Sequence, residues 1–418
     1  MLTPSSAAVV TATLPAVRSH AEAITGAFYP RMFAAHPELL DLFNRGNQAT
    51  GRQRQALAAA VVGYAEHLVG ESGVPWTPIF ERIAHKHASL GITPAQYPIV
   101  GRHLLAAVGE VLGDAVTAEV AAAWDEVYWL FACELVAREA RLYQHAGVGD
   151  PAEVWRSWQV ADRVAETDDV VTLVLAPADG RPAGDFIPGQ YVSVVAELGA
   201  GSAFSPFVGG GGVVGRGRQI RQYSLSGRPG AGTWQITVKR VRALDGAPEG
   251  VVSSYLHEHV AVGDQLRISP PFGDVSSVPG DGPLVLVSAG IGVTPAMSAL
   301  EHLAEHGPDR PVVLVHADRA GSTHALRRHL PRLSRSLPGL SVDLWYEHSA
   351  DPEPVAVDRA RVNAGRVDPD AIPLPSGAYV HLCGPLPFMN LVRSTLLRRG
   401  VPGDRIAYEV FGPEMLRS

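Results

Sequence analysis

The chain has 418 residues, more than one hydrophobic core ordinarily holds, so two or three domains are expected. With 46% hydrophobic and 18% charged residues and a net charge of −7, it has the balance of a globular enzyme and lacks the basic stripe that a nucleic-acid partner requires. Two cysteines, Cys133 and Cys383, make no disulfide framework, and no apolar run reaches the roughly 20 residues that cross a bilayer.

The N-terminal stretch Met1 to Val17 has no basic leader and contains Pro4 and Pro15, a poor signal peptide, so the cytoplasm is the expected compartment. As far as about Ala146 the sequence reads as helix after helix with a 3.6-residue apolar period. Breaks are expected at Pro37, Gly46, Gly73-Val74-Pro75 and Pro94. Gly147 to Pro151 is a linker. Beyond it come alternating β-branched runs, Val170–Leu175, Trp234–Lys239 and Gln265–Ile268, which with their Gly/Pro turns predict an antiparallel barrel or sandwich. A Gly-rich insert between Gly199 and Arg218, with Gly209 to Gly212 at its centre, reads as a surface loop. From about Pro283 the texture is strand, turn, helix: Leu284–Val287, Pro311–His316 and Ala378–Leu382 predict a parallel sheet with helices. The expected domains are 1–147, 151–280 and 281–418.

Most of the sixteen histidines read as surface or helix-end residues, and helical phase separates two of the rest. In Pro78 to Gly91, Ile79, Ile83, His87 and Leu90 share one apolar stripe, while His85 lies with Arg82 and Ser89, about 200° around the helix. A lone histidine on an apolar face is more often a satisfied core residue than a ligand. Three further features weigh against that reading here. Gln53 leads the apolar face Leu57, Val61, and a buried amide there needs a partner. Tyr29 sits within Phe28-Tyr29-Pro30-Arg31-Met32-Phe33, with Phe43 at the next corner. Glu139 continues the stripe Trp124, Tyr128, Phe131, Leu135, and Tyr97 opens another helix. A carboxylate on such a stripe demands a hydrogen-bonding partner.

Two sets of short motifs lie in the second half. Pro188-Gly189-Gln190-Tyr191, Arg221-Gln222-Tyr223-Ser224 and Gly250-Val251-Val252-Ser253 together resemble the FAD domain of the ferredoxin–NADP reductase superfamily. Gly290-Ile291-Gly292-Val293-Thr294-Pro295 follows a strand and opens a helix, the context in which glycines cradle a pyrophosphate. By itself such a turn is no more than a tight strand-to-helix connection. With Cys383-Gly384-Pro385 and Tyr408-Glu409-Val410-Phe411-Gly412-Pro413 it resembles that superfamily's nicotinamide domain.

The helical domain looks like a globin, and the whole chain, from Leu2 to Pro413, resembles a bacterial flavohaemoglobin of the nitric oxide dioxygenase type. The resemblance implies an all-α haem globin, an antiparallel β-barrel FAD domain and an α/β nicotinamide-binding domain. It implies haem b, FAD and NAD(P)H as cofactors. It makes His87 the iron ligand, preceded by Lys86, with Tyr97 and Glu139 bonded behind it. Tyr29, Gln53 and Leu57 fall on the oxygen side, and Phe43 wedges the haem. Arg221 falls to the flavin pyrophosphate, Tyr223 and Ser224 to the ring, with Tyr191, Gln222, Gly250, Val252 and Ser253 lining the site. Gly290, Gly292, Val293, Thr294, Pro295, Cys383, Gly384 and Pro385 fall to the nicotinamide coenzyme, and Glu409 and Phe411 lie beside the flavin, with Phe411 covering it. Lys86 and Glu409 are expected to face one another where haem and flavin approach.

The implied reaction oxidises nitric oxide with oxygen to nitrate, with no obligatory protein partner and with membrane lipid contact not indicated. An oxygen sensor or store kept reduced by its own reductase, or a hydroperoxide or quinone reductase, are the alternatives. The choice of NADH or NADPH stays open, because Arg319, just past the Pro311–His316 strand, either meets a 2′-phosphate or is solvated.

Overall fold

The computed structural model describes residues 1–43, 51–198, 217–243, 249–348, 357 and 359–412. The break expected at Gly46, the Gly-rich insert as far as residue 216 and Pro413 lie outside the described residues. The chain divides into two compact units, residues 1–155 with 195–221, and residues 156–194 with 222–418.

In the first unit, helix α1 (Pro4–Ala35) starts at Thr3, whose hydroxyl accepts the Ser6 N–H, with Pro4 in the first turn where its missing N–H costs nothing. It runs on through Pro15 and Pro30, burying Leu14, Ile24, Phe28, Tyr29 and Met32 on one side. A 3₁₀ segment (Pro37–Leu42) turns the chain, followed by α2 (Arg52–Leu68), α3 (Thr77–Leu90), α4 (Tyr97–Leu112) and α5 (Ala118–His145). The breaks at Gly73–Pro75 and Pro94 are as expected. Another, at Gly113 to Thr117, is not anticipated from the sequence; there Thr117 caps α5 by accepting the Val120 N–H. On α3 the fully buried positions are Phe80, Ala84, Ala88 and Ser89, so the core face lies one residue round from the expected stripe. Ile79 and Ile83 pack half-buried beside that core, and His87 shares their exposure class.

The second unit opens with β1 (Arg156–Thr167) and β2 (Val170–Pro177), a long antiparallel hairpin, and Trp158 of β1 stacks on Trp234, further along the chain, at 3.8 Å. With β3 (Tyr191–Glu197) and β4 (Arg218–Ser224), whose residues 195–197 and 218–221 count with the first unit, and with β5 (Trp234–Lys239) and β6 (Gln265–Ile268), the sheet order is β4-β3-β6-β1-β2-β5. A bridge from Leu225 to Ile236 and the Ser226 N–H to Gln235 oxygen bond, 2.9 Å, carry the end of β4 back to β5, so the sheet curls as a barrel does. Helix α6 (Val251–Glu258) lies between β5 and β6 in sequence.

The parallel sheet has β7 (Leu284–Ala289) at its centre, then β8 (Val312–Asp318), β9 (Leu340–Tyr346) and β10 (Ala360–Ala364) to one side and β11 (Tyr379–Cys383) and β12 (Ile406–Glu409) to the other. Helices α7 (Val293–His306) and α8 (Leu330–Ser336) cover one face over Leu284, Leu286, Val312 and Leu314. Helix α9 (Leu386–Arg398) covers the other over Val285, Val287 and Val380. Strand order reverses between β7 and β11, and in such sheets that crevice is where ligands bind.

Candidate functional site

Three side chains from three helices converge in the first unit. Tyr97, at the start of α4, donates to Glu139 Oε1 at 2.5 Å, and the same oxygen lies 2.8 Å from His87 Nδ1. The Tyr97 hydroxyl is 3.1 Å from that nitrogen. Glu139 and Tyr97 are buried, and burial first, then the Glu139 charge, pushes the Tyr97 phenol far above its ordinary range, so it stays a donor. The His87 side chain is 34% exposed, and among the described residues its Nε2 makes no hydrogen bond. A histidine whose Nδ1 is fixed by a carboxylate and whose Nε2 points clear is oriented as a metal ligand. His85 takes no part in this cluster. The donor set therefore fits haem iron.

Sequence reasoning missed what holds the cluster. Tyr128 donates to the Tyr97 carbonyl at 2.5 Å, and Tyr143 to the Ile92 carbonyl at 2.8 Å. A Cβ on Gly101 would run into the Tyr128 ring, so glycine there lets the ring lie against α4. Their acceptors are backbone atoms, which carry no residue signature, though both tyrosines share α5 with Glu139.

Elsewhere in the first unit, Tyr29 is buried among Phe28, Phe33 and Phe43, with ring centroids at 4.7, 5.8 and 5.7 Å. Its hydroxyl reaches the Gln53 carbonyl at 3.5 Å, which brings the expected pair together through the backbone of Gln53. Leu57 joins Val61, Leu104, Val108, Trp124 and Tyr128 around a small apolar cavity. Lys86 is half-buried on α3.

In the second unit Ser224, at the end of β4, donates to Glu409 Oε1 at 2.6 Å, a contact across 185 residues. Glu409 stands opposite Cys383 in the β11–β12 register, and Cys383 opposite Ser288 of β7. Burial, then the Glu409 charge, raises the Cys383 thiol far above its ordinary value and keeps it protonated. A Cβ on Gly292 would collide with the Cys383 carbonyl, so the Gly290–Pro295 turn and Cys383-Gly384-Pro385 meet at the strand-order reversal. Gly290 has φ +54 with open space before it, while Val293, Thr294 and Pro295 are buried as α7 begins. This cradle fits a dinucleotide pyrophosphate.

Arg221 turns its guanidinium onto the Ile220 carbonyl, 2.7 Å, and Gln219, 3.4 Å; Tyr223 and Tyr191 are half-buried and Gln222 is exposed. At the start of α6 no side chain caps Gly250, Val252 is buried, and the Ser253 hydroxyl donates to the Gly250 carbonyl and accepts the Val241 N–H. The hydroxyl's proton thus already has an acceptor, and the free backbone amides of that turn are the better anion donors. An arginine, a helix N-terminus, a tyrosine and a buried serine are each the kind of group that a flavin dinucleotide takes as a partner. Phe411 is 49% exposed.

The globin family profile matches residues 26–135, and the oxidoreductase NAD-binding domain profile matches residues 286–394. A flavohemoprotein of Bordetella parapertussis is 43% identical over 422 residues, covering 99% of each chain. The chain belongs to the flavohemoprotein family. A flavohemoprotein of Rhizobium meliloti is 41% identical over 427 residues, again with 99% coverage of each chain. The crystal structure of the Malassezia yamatoensis flavohemoglobin, described with bound FAD and heme, aligns with a TM-score of 0.82 at 32% identity, covering 98% of this chain and 100% of that one. The FAD/NAD-binding domain of the Vibrio cholerae nitric oxide dioxygenase aligns at 0.53 and 33% identity, covering 62% of this chain and 99% of that one. As in that family, this flavohemoprotein has an N-terminal globin, an antiparallel-sheet domain and a parallel-sheet domain.

Proposed function

We propose that this flavohemoprotein oxidises nitric oxide with dioxygen to nitrate, drawing electrons from NAD(P)H. The domains that do so are residues 1–147 for haem, 151–280 for FAD and 281–418 for the coenzyme. The observation that carries this reading is the pair of hydrogen bonds converging on His87 Nδ1. A carboxylate behind a ligand histidine makes it a stronger electron donor, which favours oxygen activation over reversible storage.

When bound, haem b supplies the oxygen chemistry and FAD converts a two-electron hydride into single electrons. The remaining roles belong to side chains. His87 Nε2 would hold the iron, while its Nδ1–H is held by Glu139 and Tyr97 keeps that carboxylate in place. Tyr29 and Gln53 supply donors on the oxygen side, Leu57 and Phe43 apolar walls that exclude water. Arg221 and the α6 amides would bind the flavin pyrophosphate, Tyr191 and Tyr223 would pack on the flavin, and the Ser224 hydroxyl donates a hydrogen bond to Glu409. The Gly290–Pro295 turn would hold the coenzyme, with Cys383 and Phe411 as the residues proposed to lie by its nicotinamide end.

Nitric oxide, dioxygen and the coenzyme are the proposed small-molecule partners, and the cytoplasm is the proposed compartment; among the described residues no helix is long and apolar enough to cross a membrane. The test is NADH consumption by purified holoenzyme in aerated buffer. A rapid rise on adding nitric oxide, with nitrate formed and carbon monoxide suppressing it, is the expected result. Reduction without nitric oxide turnover would leave an oxygen store. Coenzyme-driven reduction of quinones or hydroperoxides untouched by carbon monoxide would leave a reductase.

A further inference from the structure

Two arginines beyond β8, Arg319 just past its end and Arg328 in the 3₁₀ turn Arg327–His329, are both paired with carboxylates of the β1–β2 hairpin. Arg328 donates to Glu166 Oε1 at 2.8 Å, and Arg319 Nη2 lies 3.6 Å from Asp169 Oδ2. Glu166 is buried and also accepts from Thr172 at 2.8 Å. Asp169 is fixed by the Thr167 hydroxyl at 3.0 Å and has Lys239 Nζ at 3.8 Å.

β8 follows the Gly290–Pro295 turn, and in this type of sheet the end of that strand faces the adenosine ribose. An acid there hydrogen-bonds a 2′-hydroxyl, and an arginine nearby accepts a 2′-phosphate. The acid at this position, Asp318, faces inward instead. Its side chain is 4% exposed; Oδ1 accepts the Arg319 N–H at 2.7 Å and the Thr323 hydroxyl at 2.6 Å, and Oδ2 lies 3.7 Å from His316 Nε2. Discrimination at the ribose therefore passes to Arg319, whose side chain is 57% exposed.

We propose that Asp169, from the barrel hairpin, sets the coenzyme preference by holding Arg319. The inference rests on the reading above that the chain uses a nicotinamide dinucleotide. A 2′-phosphate approaching Arg319 meets a guanidinium already paired with a carboxylate, and the carboxylate itself repels it. A coenzyme with a plain 2′-hydroxyl meets neither penalty. Asp169 touches no coenzyme in this scheme and acts as a positioning residue.

The experiment uses full-length holoenzyme with haem and flavin content checked by absorbance. Adenosine 2′,5′-bisphosphate and 5′-AMP are titrated by calorimetry, and kcat/KM is measured with NADPH and NADH. Asp169→Asn should tighten the 2′,5′-bisphosphate about three- to tenfold relative to 5′-AMP and raise the NADPH/NADH ratio of kcat/KM equally, the scale of one exposed ion pair. The gain should shrink as salt is raised and vanish in the double variant D169N/R319A. Arg319→Gln by itself should weaken the 2′,5′-bisphosphate by less than about twofold, because the charge it removes is already offset. An unchanged ratio in D169N, a gain that survives in D169N/R319A, or a tenfold loss in Arg319→Gln would each overturn the proposal. If the parent protein oxidises neither coenzyme, the failure lies in the reading it rests on.

Discussion

Tyr143 donates to the carbonyl oxygen of Ile92 at 2.8 Å, while Glu139, one turn earlier on the same helix, receives His87 Nδ1 at 2.8 Å. Ile92 in turn gives its N–H to the His87 carbonyl at 3.2 Å. Helix α5 thus grips the end of the histidine helix through both backbone and side chain.

Tyr143→Phe should therefore cost about 1 kcal/mol of stability, the net worth of one partly buried hydrogen bond. It should also loosen the histidine, seen as a broadened iron–histidine stretching band in the resonance Raman spectrum of the reduced protein. A lower denaturation midpoint with an unchanged band would confine Tyr143 to packing.

The ligand assignment separates two neighbours. His87→Ala should abolish stoichiometric haem binding or its normal absorption spectrum, and His85→Ala should leave both nearly intact. Equal haem loss in the two variants would refute the assignment.

At the flavin, two substitutions should act differently. Arg221→Ala removes a charge-assisted donor to a pyrophosphate and should weaken FAD retention roughly tenfold to a hundredfold. Ser224→Ala removes the hydrogen bond that Glu409 accepts at 2.6 Å. It should keep FAD yet slow its reduction by the coenzyme at least about tenfold, read by stopped-flow absorbance. Full flavin content in Arg221→Ala would show that the pyrophosphate is held elsewhere.

Acid should destabilise the parallel-sheet domain through two buried histidines. Burial lowers His381 to about 4, and burial, with His316 and Arg327 nearby, holds His324 well below 6.5. Both are neutral when folded, while the unfolded chain takes up protons near pH 6.5. Between those values the unfolded state binds more protons, so stability rises with pH and is lost as pH falls from about 6.5 toward 4. Urea midpoints between pH 7.5 and 5 should fall, and less steeply in His381→Leu. A slope identical in parent and variant would show that His381 plays no part.

Much of this was legible in the sequence where the signal is periodic or local. His87 and Glu139 stand out because each occupies a defined phase of a helix, and the Gly290–Pro295 turn because strand, glycines and helix follow one another directly. β2, β5 and β7 are legible as runs of β-branched residues. By contrast β1, whose pattern alternates irregularly and shifts register at Val160/Asp162, gives little signal. β12 is four residues long and is defined by its pairing with β11. The continuity of α1 through Pro15 and Pro30 is likewise decided by tertiary packing rather than by propensity. The clasp of Asp169 on Arg319 joins residues far apart in sequence, and neither carries a motif.

Ser224 acquires its carboxylate partner from β12, and the Gly292 turn acquires its neighbour from β11. During synthesis the helices that position His87 are complete long before either strand exists. Folding of so non-local a pairing is slow relative to that of a helical unit. The haem-binding half is thus expected to be assembled while the reducing half is still an open chain.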